Sequence, residues 1–338
     1  MTVYIDKQNL VSYVHSKGDV RFEDCNTMLK KCCDIKFTFS KDAVEKLDDI
    51  IDKEASTKIK LWMATMVEGF KGRIMWGVDF PPRPLKTNMC NDFPQEDLSA
   101  IYLLDDEKCA RVKETGRLLI AEPGNELDAL EHLIIGDDNL YTRILNPKDL
   151  ENWDGIEQYL SPCTDIIIAD PYLMSDHDLY DNNLYALVVK LASKSKCKLN
   201  YIFITNKCIL TRERIEISPD WETIKSTIKD KVEQITGYCP NVTFVLKQNI
   251  EHDRTIFTNY KQYISGDTFN YFDSCWKVVT RGRYLNIHSI ASKDCWDSCC
   301  SFLDDMQAVI IQLEELNPDQ IIGDKKGLYL KFTKPVQL

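Results

Sequence analysis

From Ser40 the apolar residues Val44, Leu47, Ile50 and Ile51 fall three and four apart, the spacing of one helix face, with Ser40 placed to cap it. Ile59–Met66 and Arg73–Phe80 read as strand-like runs. Pro81-Pro82-Arg83-Pro84 ends the second, because each proline ring fixes φ and removes an N–H donor. Gln95–Leu104 predicts a helix and Leu118-Leu119-Ile120-Ala121 a short buried strand. Pro123-Gly124-Asn125 then turns the chain into a helix carrying Leu127, Leu130 and Ile134.

Between Gly136 and Gly155 the chain becomes polar and rich in turn formers, which predicts a boundary between residues 1–148 and residues 149–338. Beyond it the alternation is more regular. Asp165-Ile166-Ile167-Ile168-Ala169-Asp170 reads as a buried strand stopped by Pro171, and Leu184, Leu187, Val188 and Leu191 as a helix face. Leu199–Ile204 is a second strand, and Trp221, Ile224, Ile228, Val232 and Ile235 lay one apolar stripe along a helix. Val242–Leu246 is a third strand, and Phe302, Leu303, Met306, Val309, Ile310 and Leu313 mark a last amphipathic helix packed on the sheet. Strands alternating with helices imply an α/β protein. The expectation is an N-terminal α/β domain and a C-terminal domain of βαβ units on a largely parallel, helix-covered sheet.

Composition narrows the function classes. With 44% hydrophobic and 28% charged residues in 338, the chain is neither low-complexity nor disordered, and it has enough apolar residues for a sizeable core. No basic region leads into an apolar run at the N-terminus, and no window reaches the length of a membrane span, so a cytoplasmic protein without a membrane contact is expected. Thirteen cysteines, an odd number at irregular spacing, read as reduced thiols that pack. Cys275, Cys295, Cys299 and Cys300 lack any CxxC pair, and neither a metal nor a cofactor is expected. A net charge of -11 disfavours a general nucleic-acid binder, so nucleic acid would have to enter a local basic pocket.

Such a pocket has a candidate. His252 and Arg254 are two apart, so in an extended segment they project to one face. Arg forks onto two phosphate oxygens, while His attacks phosphorus or carries a proton. Asn259 and Gly266 follow, giving His252-x-Arg254-x4-Asn259-x6-Gly266-Asp267-Thr268. This resembles the phospholipase D superfamily motif, in which Lys stands at the Arg254 position and Asp at the Asn259 position. Asp165–Asp170 followed by Pro171-Tyr172-Leu173 is similar to that family's early strand and site-facing loop, and the resemblance runs from about Leu160 to Asp273.

The resemblance implies His252 as nucleophile or acid, Arg254 and Asn259 on the non-bridging oxygens, and Asp170, Tyr172, Gly266 and Thr268 lining the pocket. The chemistry needs two histidines. His132, His177 and His288 lack a cation two residues on, and His15-Ser16-Lys17 lacks the following carboxylate, so the second would come from a partner copy in a homodimer. Stand-alone relatives imply a metal-independent nuclease or phosphodiesterase in a bacterial defence or mobile-element setting.

Replacement of the family's Asp by Asn259 removes a carboxylate that would orient imidazoles, and sequences reading His-Asp-Arg also resemble a degenerate phospholipase-D-like binding domain. The alternative is therefore a non-catalytic interaction module that meets a protein partner in a larger assembly. Two further readings come from the residues. Asp170, Asp176, His177, Asp178 and Asp181 hold enough hard ligands for a divalent ion, against the commoner solvated acidic loop capping a helix. Arg281, Arg283 and His288 offer a basic lip for a nucleic-acid strand, against a solvated strand face.

Overall fold

The computed structural model describes residues 1–46, 51, 53–67, 74–78, 99–105, 108, 118–136, 139–210, 216–247 and 254–324. β1 (Thr2–Ile5) leads into α1 (Lys7–His15) and α2 (Phe22–Cys32), and β2 (Asp34–Phe37) into α3 (Lys41–Glu45) and α4 (Lys53–Val67). β3 (Ile74–Met75), β4 (Ile101–Leu103) and β5 (Leu119–Ala121) complete a five-stranded sheet, followed by α5 (Glu126–Glu131). The order is β3-β2-β1-β4-β5 and every pair is parallel. The order reverses between β1 and β4, where open α/β sheets leave a crevice outside the carboxyl ends of their strands.

Two expectations for this half need correction. Ile59–Met66 is helical, because buried Ile59, Trp62, Met63 and Met66 lie three, one and three apart and share one face of α4. Ile101–Leu103 is a strand inside the segment expected to be a helix, since pairing with β1 and β5 takes up its backbone groups. Of the other expected elements, β3 covers Ile74 and Met75, and α3 begins after Ser40 as expected. Leu47, Ile50, Arg73, Phe80 and residues 81–98 lie outside the described residues.

The second sheet has eight strands. β6 (Thr142–Leu145), β7 (Asp165–Ala169), α6 (Ala186–Ala192) and β8 (Asn200–Thr205) come first, then the small antiparallel pair β9 (Ile209–Leu210) and β10 (Glu216–Ile217). α7 (Trp221–Thr236), β11 (Asn241–Leu246), β12 (Arg254–Thr258), β13 (Lys261–Ser265), β14 (Leu285–Ser289), α8 (Lys293–Leu316) and β15 (Ile321–Gly323) follow. The order is β15-β11-β8-β7-β12-β13-β14-β6.

Only β7, β8 and β11 are mutually parallel, joined by the helical crossovers α6 and α7. β12, β13, β14, β6 and β15 pair antiparallel, so this sheet is mixed rather than largely parallel. The two-residue link Asn259-Tyr260 between β12 and β13 leaves no room for a crossover and dictates the antiparallel turn. β6 lies before residue 148 yet forms the edge of this sheet.

The central strands are buried on both faces. Ile166 and Ile168 of β7, Tyr201 and Phe203 of β8 and Phe244 of β11 join the core beneath α6 and α7. Ile167 and Ala169, Ile202 and Ile204, and Val245 point the other way, into a core shared with the first sheet and α8. There Phe257 stacks on Phe302 at 4.5 Å between ring centroids. The two halves are stitched at polar points as well: Tyr260 donates to the Ala100 carbonyl at 3.0 Å, and buried Lys261 donates to the His132 carbonyl. The alternation along each strand, period two with both sides apolar, is what made these segments read as continuous hydrophobic runs.

At the edge, Gly323 ends β15 at φ +128, and a Cβ there would stand 2.1 Å from the Val242 carbonyl oxygen. Gly323→Ala is expected to lower the unfolding free energy by about 1–3 kcal/mol in a urea melt, through strain and partial loss of the β11–β15 pairing.

Candidate functional site

Because both faces of the central strands of the second sheet are covered, their polar chemistry is confined to the strand ends. β12 runs antiparallel to β7 with Thr255 opposite Ala169, which brings Arg254, at the amino end of β12, beside Asp170, at the carboxyl end of β7. Ser265 pairs with Arg254 across β13, so the loop after β13 leaves from the same edge.

Asp170 is buried and fully engaged. Its Oδ2 accepts from the Thr268 hydroxyl and the Phe269 N–H, both at 2.8 Å, and its Oδ1 from the Tyr172 N–H at 2.8 Å. Burial nevertheless pushes its carboxyl from the ordinary 3.8 up to about 6, against the pull of these donors and the Arg254 charge. The Arg254 guanidinium carbon lies 5.4 Å from the centroid of the Tyr172 ring, a cation–π arrangement on a ring that is 47% exposed. Asn270 donates to the Tyr172 carbonyl at 2.7 Å and fixes the turn. Arg254, Asp170, Tyr172 and Thr268 thus form one constellation, with Gly266 at its border under the Tyr284 ring. His252 lies outside the described residues.

Asn259 does not join them. It sits at the far end of β12, about 16 Å along an extended chain from Arg254. Its Oδ1 accepts from the N–H groups of Thr164 (2.9 Å) and Asp165 (3.2 Å), and its Nδ2 donates to the Thr164 hydroxyl (3.0 Å). Fully buried, it clamps the start of β7. The expectation that Asn259 holds phosphate oxygens together with Arg254 is corrected by this geometry: residues five apart on a strand stand at opposite ends of the sheet.

The other candidates divide as follows. Asp176 accepts from the Asp178 N–H at 3.2 Å and caps the short turn His177–Leu179. Asp181 lies 3.8 Å from Lys231, and among the described residues no three His, Cys, Asp or Glu side chains come together to hold a metal. Arg281 and Arg283 are exposed in the loop before β14. His288, grouped with them in the sequence, is instead half-buried on β14 and within 3.2 Å of the Thr142 hydroxyl. Cys295 contacts Cys299 at 3.8 Å and Gln262 at 3.3 Å inside α8's packing face, and all the described cysteines are free thiols.

A second polar edge was missed by sequence reasoning. Asp6, directly after β1, and Asp105, just after β4, flank the point where the first sheet reverses its strand order. Lys108 donates to both oxygens of Asp6 at 2.8 and 2.9 Å and lies 3.1 Å from Asp105. The Thr38 hydroxyl and the Asp105 N–H also donate to Asp6. Burial pushes the Asp6 carboxyl up against these donors, while the paired carboxylates hold the Lys108 ammonium charged despite its own burial.

Alongside, Asn9 donates to the Ala121 carbonyl (3.2 Å) and to Glu126 (3.1 Å), which also accepts from Ser12 and the Gly124 N–H. The Asn9 Oδ1 is buried with no hydrogen-bond partner among the described residues. The available signal was the run Val3-Tyr4-Ile5 followed by an Asp, which a strand of four residues makes easy to overlook.

No protein-family model matches the chain, and no curated protein matches it. Among solved structures it is similar to polyphosphate kinase from Porphyromonas gingivalis, with 10% identity and a TM-score of 0.25, over 59% of this chain and 26% of that one. Phosphatidylserine synthase from Haemophilus influenzae Rd KW20 shows 12% identity and a TM-score of 0.28, over 66% of this chain and 49% of that one. TrmBL2, an archaeal chromatin protein whose structure is described as showing a novel mode of DNA binding, shows 11% identity and a TM-score of 0.22, over 58% of each chain. The chain covers less than two thirds of each of these proteins, and similarities at these scores fix neither a family nor an activity. No helix among the described residues is long and apolar enough to cross a membrane.

Two outcomes follow from the geometry. Asn259→Ala orphans two buried N–H groups and removes a donor from the Thr164 hydroxyl, and is expected to cost roughly 2–4 kcal/mol in a denaturant melt. Asp170 binds a proton more tightly folded than unfolded, so its contribution to stability is full below pH 3.8 and is lost as pH rises to about 6. The loss is on the order of 3 kcal/mol and should flatten above that window in melts from pH 3.5 to 8. Asp170→Asn should abolish this component of the slope.

Proposed function

We propose that the chain recognises a phosphodiester, with nucleic acid as the polymer, at the edge formed by β7 and β12. The observation that carries this reading is a guanidinium, Arg254, held at a strand end between an exposed aromatic ring and a buried carboxyl. A planar, permanently charged fork suits a phosphate's paired oxygens, and the Thr268 hydroxyl and neighbouring loop amides fix the groups around it. Asp170 is placed to restrain the site rather than to act on it, since three donors occupy its oxygens.

If the site turns over, His252 attacks phosphorus or protonates the leaving oxygen while Arg254 steadies the developing charge, and a second copy of the chain supplies the other imidazole. This chemistry uses no metal. The defence or mobile-element setting rests on the sequence resemblance alone.

A second reading, metal-assisted phosphodiester hydrolysis at the first sheet, is favoured by Asp6 and Asp105. Their carboxylates already share one cation, the Lys108 ammonium. Mg²⁺ is commonly bound by one or two carboxylates, with water and substrate phosphate completing its shell. A substrate phosphate drawing Lys108 to itself would leave both carboxylates to the ion.

Cleavage of single- and double-stranded DNA and RNA and of bis-p-nitrophenyl phosphate, with Mg²⁺ or with EDTA, separates the readings. Chemistry at the β7–β12 edge predicts cleavage that survives EDTA and is abolished by His252→Ala, with the active species a dimer by light scattering. Chemistry at the first sheet predicts the reverse: loss in EDTA, loss in Asp6→Asn and Asp105→Asn, and indifference to His252→Ala. Under the leading reading Arg254→Ala should weaken substrate binding about tenfold or more. Oligonucleotide binding unaffected by Arg254→Ala would sink the leading reading, whereas binding without turnover would make the chain a recognition module.

A further inference from the structure

Four side chains around the β7–β12 edge are exposed. Tyr172 and Tyr284 keep 47% and 45% of their surface open, and Arg281 and Arg283 are exposed. Residues 266–284 run from the carboxyl end of β13 to the amino end of β14, and Ser265 pairs with both Arg254 and Leu285. Both ends of this loop therefore rise from the edge that carries Arg254 and Asp170.

Asp267 ties the end of the loop to its beginning. Its Oδ2 accepts from the Thr280 hydroxyl at 3.3 Å and the Arg281 N–H at 3.1 Å, and its Oδ1 from the Thr268 N–H at 2.9 Å. Gly282 permits this closure, since a Cβ there would stand 3.1 Å from that of Asp267. On the other side, ring atoms of Tyr284 lie 3.5 Å from the place a Cβ would take on Gly266. Arg281 and Tyr284 thus bracket Asp267, one residue from the Thr268 hydroxyl that bonds Asp170.

We infer that Tyr172, Arg254, Arg281, Arg283 and Tyr284 form a binding track for single-stranded nucleic acid. The inference rests on the reading that Arg254 holds a phosphate, and names the form of the polymer. Open aromatic rings beside guanidinium groups suit unpaired bases, whose faces are free to stack, and a regular duplex hides those faces. Charge confines the strand to this track, because a chain of net charge -11 repels polyanions elsewhere.

Asn182, in the acidic stretch with Asp176, Asp178 and Asp181, donates to the Asp273 carbonyl at 2.7 Å, which sets the turn carrying Trp276 against that stretch. The carboxylate oxygens of Asp267 and Asp170 accept from backbone and hydroxyl donors, which hold them in the loop.

The test is fluorescence anisotropy in EDTA with a labelled 15-residue oligothymidylate and a labelled hairpin duplex, using the wild type, Tyr284→Ala, Arg281→Glu and Arg254→Ala. Urea melts show that each variant is folded. The wild type should prefer the single strand at least tenfold. Tyr284→Ala should bind it roughly 5- to 100-fold more weakly, and Arg281→Glu should bind more weakly with a shallower salt dependence. Equal affinity for the duplex, or wild-type binding by folded Tyr284→Ala and Arg281→Glu, overturns the track. If only Arg254→Ala loses binding, the track fails while the phosphate reading stands; if the wild type binds neither probe, both fail.

Discussion

The constraint on which this molecule depends is burial of the central strands of its eight-stranded sheet on both faces. Ile166 and Ile168 face one core, Ile167 and Ala169 the other, and β8 repeats the pattern. A strand in that position has no solvated side on which to display polar chemistry, so functional groups are pushed to its ends. The same constraint makes each polar group near those ends expensive unless it is satisfied, because a buried donor or acceptor left alone costs about 1–3 kcal/mol. Asn259 and Asp170 are two answers to it. One closes the amino end of β7 with three hydrogen bonds, and the other closes the carboxyl end with three more. At the carboxyl end the Arg254 charge joins the arrangement.

That asymmetry explains how a spacing pattern misleads about the role of Asn259. Arg254 and Gly266-x-Thr268 bracket one edge because β12 and β13 form a tight antiparallel pair, with Arg254 opposite Ser265. Asn259 sits at the turn of that pair by the same arithmetic. A spacing of five residues cannot place two side chains in one pocket when the intervening residues are extended. In this chain Asn259 anchors the start of β7.

The strands of the second half were legible because two-sided burial writes itself as uninterrupted Ile, Val, Phe and Tyr, and α7 because its stripe repeats at three and four. What periodicity could not reveal was strand direction: β12 joins the parallel strands antiparallel for reasons of connection length, which lies in the turns. In the first half the runs are short, and α4 carries Ile59, Trp62, Met63 and Met66 in a cluster that imitates a strand until the neighbouring layer is known. The Asp6–Asp105 pair was invisible for a different reason. Ninety-nine residues separate its members, and only the parallel pairing of β1 with β4 brings them onto one ammonium.

The most direct test of phosphate recognition at the β7–β12 edge is a crystal structure of the full chain with a short single-stranded oligonucleotide. Phosphate density within hydrogen-bonding distance of the Arg254 guanidinium, with a base against Tyr172 or Tyr284, is the predicted result. Ordered phosphate bound only beside Asp6 and Asp105, with the Arg254 edge empty, would contradict it and move the chemistry to the first sheet.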